Sequence, residues 1–159
     1  MPVPPPKFHF TDPKGRRLTL ADYKGTGLIV NFWATWCPPC RAELPTLLAL
    51  NQKLHGTGIR VLLISVDSYG LDVVRPYFQR HHITGVPMLT DSNSSALIAF
   101  DTSGIPFTAV VNRDGLVAAT LEGAGDWNTK TTLAAIKKIM GPPLTKPKPK
   151  SQIPAPKPA

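Results

Sequence analysis

Leu28-Ile29-Val30-Asn31-Phe32-Trp33-Ala34-Thr35-Trp36-Cys37-Pro38-Pro39-Cys40-Arg41-Ala42-Glu43 joins two patterns in one short span. The run Leu28 to Ala34 is apolar except at Asn31, which suits a strand buried on both faces in a sheet covered by helices. From Pro38 the period becomes helical: Leu44, Leu47, Leu48 and Leu54 recur at helical spacing until His55-Gly56 stops the run, and Pro45 is expected to kink it. The two cysteines of the chain, Cys37 and Cys40, stand at this strand-to-helix junction. Two sulfurs separated by two residues close a small disulfide ring, and a helix N-terminus stabilises a thiolate through its unpaired backbone donors and the positive end of the peptide dipole. Cys37 is therefore the expected nucleophile, and Cys40, one turn inside, is placed to attack a mixed disulfide. Pro38 and Pro39 remove two donors between them and stiffen the ring.

On both sides of this junction the chain alternates between the periods of strand and helix. Phe8 to Thr11 and Arg17 to Leu20 read as short extended pieces around the turn Asp12-Pro13-Lys14-Gly15, an edge hairpin, with a loop at Lys24 to Gly27. Arg60 to Asp67 is a second buried strand, so strand, helix and strand form one right-handed crossover. Asp72 to His82 reads as a helix, with Asp72 as its N-cap and Pro76 near its first turn. A short strand at Met88 to Thr90 and a short helix at Ser94 to Phe100 follow. Phe107 to Asn112 and Leu116 to Glu122 flank Arg113-Asp114-Gly115 as an antiparallel hairpin. Asn128 to Met140 closes the domain as an amphipathic helix ended by Gly141-Pro142-Pro143. The expected class is α/β, a central mixed sheet flanked by helices with an N-terminal hairpin.

A chain of 159 residues holds one domain with a substantial core. Its net charge of +8 and its 18 prolines are unevenly spread. Met1 to Pro6 and Gly141 to Ala159 hold much of the proline, and the latter carries Lys146, Lys148, Lys150 and Lys157 with no acidic residue. Such segments bury too little apolar surface to offset their ordering entropy. The expected division is a flexible segment over residues 1–6, the folded domain over 7–140 and a Pro/Lys-rich disordered tail over 141–159. The tail lacks interleaved aromatics, which argues against a nucleic-acid partner and for a solvated linker or a weak contact with an anionic surface. No stretch is long and apolar enough to span a membrane, and the N-terminus lacks a signal-peptide pattern, so the expectation is a mature or trimmed form.

Half of a structural zinc site is the competing reading of the cysteine pair. It needs four ligands, and no second pair exists, while His9, His55, His81 and His82 fall where the element order does not bring them to the cysteines. The expectation is no metal and no cofactor beyond a redox-active Cys37–Cys40 disulfide. Trp36 is a candidate cover for that disulfide and Trp33 a core residue. Arg41 reads as a solvated surface cation and His81-His82 as a surface pair at a helix end, while spacing assigns no role to Trp127.

Asn31-Phe32-Trp33-Ala34-Thr35-Trp36-Cys37-Pro38-Pro39-Cys40-Arg41-Ala42-Glu43-Leu44-Pro45 resembles the active-site stretch of the TlpA/ResA/DsbE (CcmG) branch of the thioredoxin superfamily. Ser65-Val66-Asp67, Gly104-Ile105-Pro106-Phe107-Thr108, Asn112-Arg113-Asp114-Gly115 and Gly125-Asp126-Trp127 occur in the order that branch shows, so the resemblance covers most of the chain. It implies a thioredoxin-like fold with a central insertion, here about Tyr69 to Thr102. Thioredoxins carry a buried aspartate six residues before the first cysteine; Asn31 stands there and cannot ionise. The resemblance implies that Glu43, three residues after Cys40, serves instead as proton acceptor for that thiol, against the plainer reading of an acid favoured in a helix's first turns. It further implies that Ile105-Pro106 is a cis peptide facing the cysteines, with Val86-Pro87 as rival, and that the backbone before it pairs with an extended substrate. Trp36, Pro38, Pro39, Ile105 and Pro106 are thus the expected substrate-contacting residues.

The resulting expectation is a monomeric thiol-disulfide oxidoreductase acting as a protein-disulfide reductase, on apocytochrome c or copper-site protein thiols. It implies a protein substrate, an upstream membrane or periplasmic electron donor, and a periplasmic or extracytoplasmic location, with a membrane tether before residue 1 left open. Two alternatives stand beside it. A peroxiredoxin-like peroxidase requires a Pro-x-x-x-Thr/Ser-x-x-Cys pattern that this chain lacks, and a non-enzymatic copper or metal delivery module uses wider cysteine spacing.

Overall fold

The computed structural model describes residues 1–143. The centre is β3 (Gly27–Trp33), every residue of which is buried, lying parallel to β4 (Ile59–Ser65) on one side and antiparallel to β6 (Phe107–Val111) on the other. Short β1 (Phe10–Thr11), β2 (Arg17–Leu18) and β5 (Leu89–Thr90), together with β7 (Val117–Glu122), complete a seven-stranded mixed sheet in the order β2-β1-β5-β4-β3-β6-β7. The helices are α1 (Pro38–Lys53), α2 (Leu71–Arg80), α3 (Ser95–Ala99) and α4 (Lys130–Met140). This is the thioredoxin-like arrangement, with α2 and β5 inside the expected insertion.

Side chains alternate across β3, so Phe32 and Trp33 enter different layers. Phe32 joins Phe8, Phe100 and Phe107 in an aromatic cluster beneath α3, with ring centroids 5.9 to 6.2 Å away. Trp33 packs on Tyr77 and Phe78 of α2. Asn31, on the same face as Trp33, meets α1, and Gly27 at the start of the strand abuts Met140 of α4, where a β-carbon would collide with the methionine sulfur. The domain is therefore two layers of helices around strands that have no solvent-facing side at the centre.

Several local expectations change. α1 continues through Pro45, whose missing donor concerns the carbonyl of Arg41, an exposed residue that water reaches. Gly70, not Asp72, is the N-cap of α2; its φ of 55° and ψ of −133° suit only glycine, and Asp72 falls in the first turn. Leu20 to Tyr23 forms a 3-10 helix closed by a capping box between Thr19 and Asp22, so β2 is shorter than expected. The segment expected to be flexible over residues 1–6 is tied to the sheet: Val3 exchanges both backbone hydrogen bonds with Val117 at 2.9 and 2.7 Å. Its neighbours Pro2 and Pro4 have no N–H, so Val3 alone can donate there. The Pro/Lys-rich tail lies outside the described residues beyond Pro143. Among the described residues no helix is long and apolar enough to cross a membrane.

The β1–β2 turn is organised by Asp12. Its Oδ1 accepts from the backbone N–H groups of Lys14 and Arg16 at 2.9 Å, and its Oδ2 from Arg16 Nε at 2.6 Å. Burial acts to raise the carboxyl pKa, and the Arg16 and Lys14 donors outweigh it, so the group lies below its ordinary value of 3.8. A depressed carboxyl stabilises the fold above its unfolded-state pKa and loses that contribution as pH falls through the folded one. We therefore expect Asp12→Asn to cost roughly 1–2 kcal/mol at neutral pH. In urea titrations the gap from wild type should close as pH drops below the ordinary aspartate range; a gap independent of pH would contradict the assignment.

Candidate active site

The end of β3 delivers Cys37 to the start of α1. Cys37 is the helix N-cap, with extended φ and ψ of −93° and 109°, and its sulfur accepts from the backbone N–H of Cys40 at 3.4 Å. The two cysteines form a disulfide with Cα atoms 5.3 Å apart, and both are buried. The helix dipole and the Cys40 N–H thus act on Cys37 sulfur first, while Cys40 lies inside the turn. Pro38 and Pro39 occupy the first two helical positions, where the absent donors cost nothing, and both are exposed beside the sulfurs.

The loop before Cys37 is held from below by Asp67. Its Oδ2 accepts from the Thr35 N–H at 2.9 Å and from Ser65 Oγ at 2.7 Å, and its Oδ1 accepts from Thr35 Oγ1 at 2.7 Å. Ser65 Oγ in turn accepts from the Asp67 N–H at 3.0 Å. The end of β4 therefore sets the path of Ala34 to Trp36 into the cysteine turn. Trp36 itself projects into solvent, 66% exposed, whereas Trp33 is buried as expected for a core residue.

Across the sulfurs lies the entry to β6. The Ile105–Pro106 peptide bond is cis and the Val86–Pro87 bond is not. The Ile105 carbonyl oxygen stands 3.9 Å from Cys37 sulfur, a contact rather than a hydrogen bond while the sulfur carries no proton. Cys37, Trp36, Pro38 and Ile105 thus share one surface of the molecule.

Glu43 lies behind the disulfide and is only 3% exposed. Its Oε1 accepts from Asn31 Nδ2 at 3.0 Å, and its Oε2 accepts from the Gly125 N–H at 2.8 Å and from Trp127 Nε1 at 3.0 Å. Asn31 Nδ2 also donates to Thr108 Oγ1 of β6 at 3.0 Å. The carboxylate is thereby tied to β3, to β6 through Asn31, and to the connection between β7 and α4. Among the described residues Oε1 accepts from Asn31 alone, which leaves it one open lone pair.

Three participants escaped the sequence reading. Trp127, given no role by spacing, is a donor to Glu43, and its own N–H reaches Thr46 Oγ1 at 3.2 Å. Thr35 and Asp67 form the latch under the cysteine loop. The signal available was one of composition only, because Asp67 ends an apolar strand, a place where a buried acid needs partners.

The sequence profile of the AhpC/TSA family matches residues 3–120. Thiol-disulfide oxidoreductase ResA from Bacillus subtilis (strain 168) is 30% identical over 118 residues, 74% of this chain and 65% of that protein. Thiol-disulfide oxidoreductase ResA from Geobacillus kaustophilus (strain HTA426) is 32% identical over 118 residues, 74% and 67% of the two chains. This chain thus spans about two thirds of the length of these relatives. The crystal structure of the thiol:disulfide interchange protein, thioredoxin family protein, from Chlorobium tepidum TLS is similar, with a TM-score of 0.68 and 27% identity. That likeness covers 89% of this chain and 98% of the other.

Three substitutions test the supports. Trp127→Phe keeps the buried ring and deletes one donor to Glu43, and should lower unfolding free energy by about 1–2 kcal/mol. In a cycle with Glu43→Gln the two losses should be less than additive, as for residues sharing one hydrogen bond. Asp67→Asn should cost about 1–3 kcal/mol and broaden the backbone signals of Thr35 and Trp36 in an NMR spectrum; unchanged signals there would refute the latch.

Proposed function

The chain belongs to the AhpC/TSA family and its paired cysteines place it with the ResA-like thiol-disulfide oxidoreductases, and on this premise we propose that it reduces protein disulfides outside the cytoplasm. The observation that carries the reading is Cys37 at the N-cap of α1, bonded to Cys40 and facing the Ile105 carbonyl.

In the reduced protein, Cys37 thiolate attacks a substrate disulfide. A mixed disulfide forms between Cys37 and one substrate sulfur, and the other leaves as thiolate. Cys40 then loses its proton and attacks Cys37 sulfur, which closes the Cys37–Cys40 disulfide and releases the second substrate thiolate. Two electrons pass from the dithiol to the substrate, and the structure corresponds to the oxidised product of that turnover. Glu43 is the proposed acceptor for the Cys40 proton: it sits one helical turn beyond Cys40 and has an open lone pair on Oε1.

Substrate recognition rests on a surface of low side-chain selectivity. Trp36 offers an exposed aromatic face, Pro38 and Pro39 a stiff rim, and Ile105-Pro106 a backbone edge beside the attacking sulfur. Such a surface suits an extended polypeptide. The proposed substrates are the disulfides of apocytochrome c or of copper-site proteins. The oxidised pair is returned to dithiol by an upstream membrane or periplasmic electron donor, and the protein works as a monomer in a periplasmic or equivalent compartment, with no metal or organic cofactor in the cycle.

Cys40→Ser should accumulate a mixed disulfide through Cys37 when mixed with an oxidised protein substrate, and Cys37→Ser should accumulate none. If Cys40→Ser traps nothing while Cys37 remains alkylatable, the assigned roles are wrong. A reductant also requires a potential nearer thioredoxin's roughly −270 mV than the roughly −120 mV of a strong oxidase. Titration against glutathione with thiol alkylation as readout decides the direction of electron flow.

A further inference from the structure

The disulfide follows the end of β3, so the start of that strand marks the opposite pole of the molecule. Gly27 pairs there with Ile59, Leu28 with Val111, and Met140 closes α4 against Gly27. The two poles are about 23 Å apart along the seven residues of β3. Both ends of the described chain gather at this distal pole. Val3 is bound to Val117 next to the turn at Asn112 to Leu116, and α4 ends at Met140.

The distal pole is basic. Lys24, Lys137 and Lys138 are exposed on it, Arg60 is half-buried at the start of β4, and Arg113 is buried beneath. Arg113 donates to the carbonyls of Thr57 and Gly58 at 3.1 and 3.3 Å, while its Nε has no partner among the described residues. The acids nearby are Asp114, exposed in the turn, and Asp22, whose carboxylate caps the Thr19 N–H. All ten acidic side chains of the protein fall within the described residues, and the ion pair found there is Arg16 with Asp12, so these distal cations have no acidic side chain bound to them. Beyond Pro143 the sequence adds Lys146, Lys148, Lys150 and Lys157 and no acid, starting from this same pole.

A shallow cavity of about 480 Å³ opens between these cations. Ile59, Pro142 and Pro143 give it an apolar lining, Arg113 lies buried below, and the exposed Lys137 and Lys138 stand beside it. Exposed cations beside an apolar lining complement an anionic amphiphile better than a uniformly hydrophilic polyanion. No aromatic side chain lines it for stacking nucleobases.

We propose that this pole docks on an anionic phospholipid surface. Its headgroups meet Lys137 and Lys138, and the Cys37–Cys40 disulfide points away from the bilayer. The separation of the poles exceeds the Debye length of about 8 Å at physiological salt, so docking leaves the electrostatics of the redox site unaltered. The proposal does not depend on the redox reading, because its test measures binding alone.

The test is co-sedimentation of the whole chain with phosphatidylcholine vesicles made with or without phosphatidylglycerol. Each lysine near an anionic leaflet is worth about a factor of five in partitioning. Wild type should bind only the phosphatidylglycerol vesicles and release with added salt. The double variant Lys137→Glu/Lys138→Glu should bind at least about 25-fold more weakly. Truncation after Pro143 should also weaken binding, whereas Arg75→Glu/Arg80→Glu, an equal charge change on α2, should not. Thermal melts establish that each variant is folded. The proposal is overturned if the α2 variant loses as much binding as the α4 variant, if the α4 variant binds like wild type, or if duplex DNA binds as tightly with the same dependence on Lys137 and Lys138.

Discussion

A single carboxylate holds the redox end of this protein together. Glu43 is buried, and a buried charge without partners costs several kcal/mol, so the surrounding chain must supply donors. It does so from two places far apart in sequence: Asn31 on the central strand, and the connection between β7 and α4, which supplies both the Gly125 backbone and the Trp127 indole. Each place fixes one element relative to α1. Asn31 extends the tie to β6 through Thr108, and Trp127 with Thr46 fixes the connection that leads into α4. Loss of the carboxylate would leave Asn31, Gly125 and Trp127 with buried donors to satisfy, so the group is structural whatever its part in proton transfer.

A second anionic hub, Asp67, does for the front of the site what Glu43 does for the back. It lies two residues past the end of β4 and binds Thr35 through both backbone and hydroxyl, which sets the loop that carries Trp36 and Cys37 over the edge of the sheet. Between these hubs the cysteine turn has little freedom. Its sulfur sits at the helix N-terminus because Glu43 ties α1 to β3 and Asp67 holds the loop between them. Preorganisation of this kind lets the thiolate be stabilised by donors already in place.

The sheet also separates tasks in space. Cysteines, exposed tryptophan and the Ile105 edge lie at the end of β3, while the two ends of the described residues and the uncompensated cations lie at its beginning. A parallel pair such as β3 and β4 imposes this, since both strands start at one pole and finish at the other. Loops after the strands can then carry chemistry while loops before them are free for attachment.

Local chemistry was enough to place the main strands and helices and to single out Cys37, Cys40 and the fold class, because apolar runs, helical spacing and paired cysteines at a helix start are short-range signals. Ile105 and Glu43 came from resemblance to a known motif, not from spacing. Sequence order could not show that Gly125 and Trp127 would reach Glu43, 82 and 84 residues away, or that Thr35 would rest on Asp67. Nor could it show that Val3, lying between prolines, would find the free edge of β7, or that a positive φ would pass the start of α2 from Asp72 to Gly70. Buried polar groups must be satisfied, but which donor satisfies which acceptor is settled only when the strands and helices pack, since that choice depends on distance in space and not along the chain.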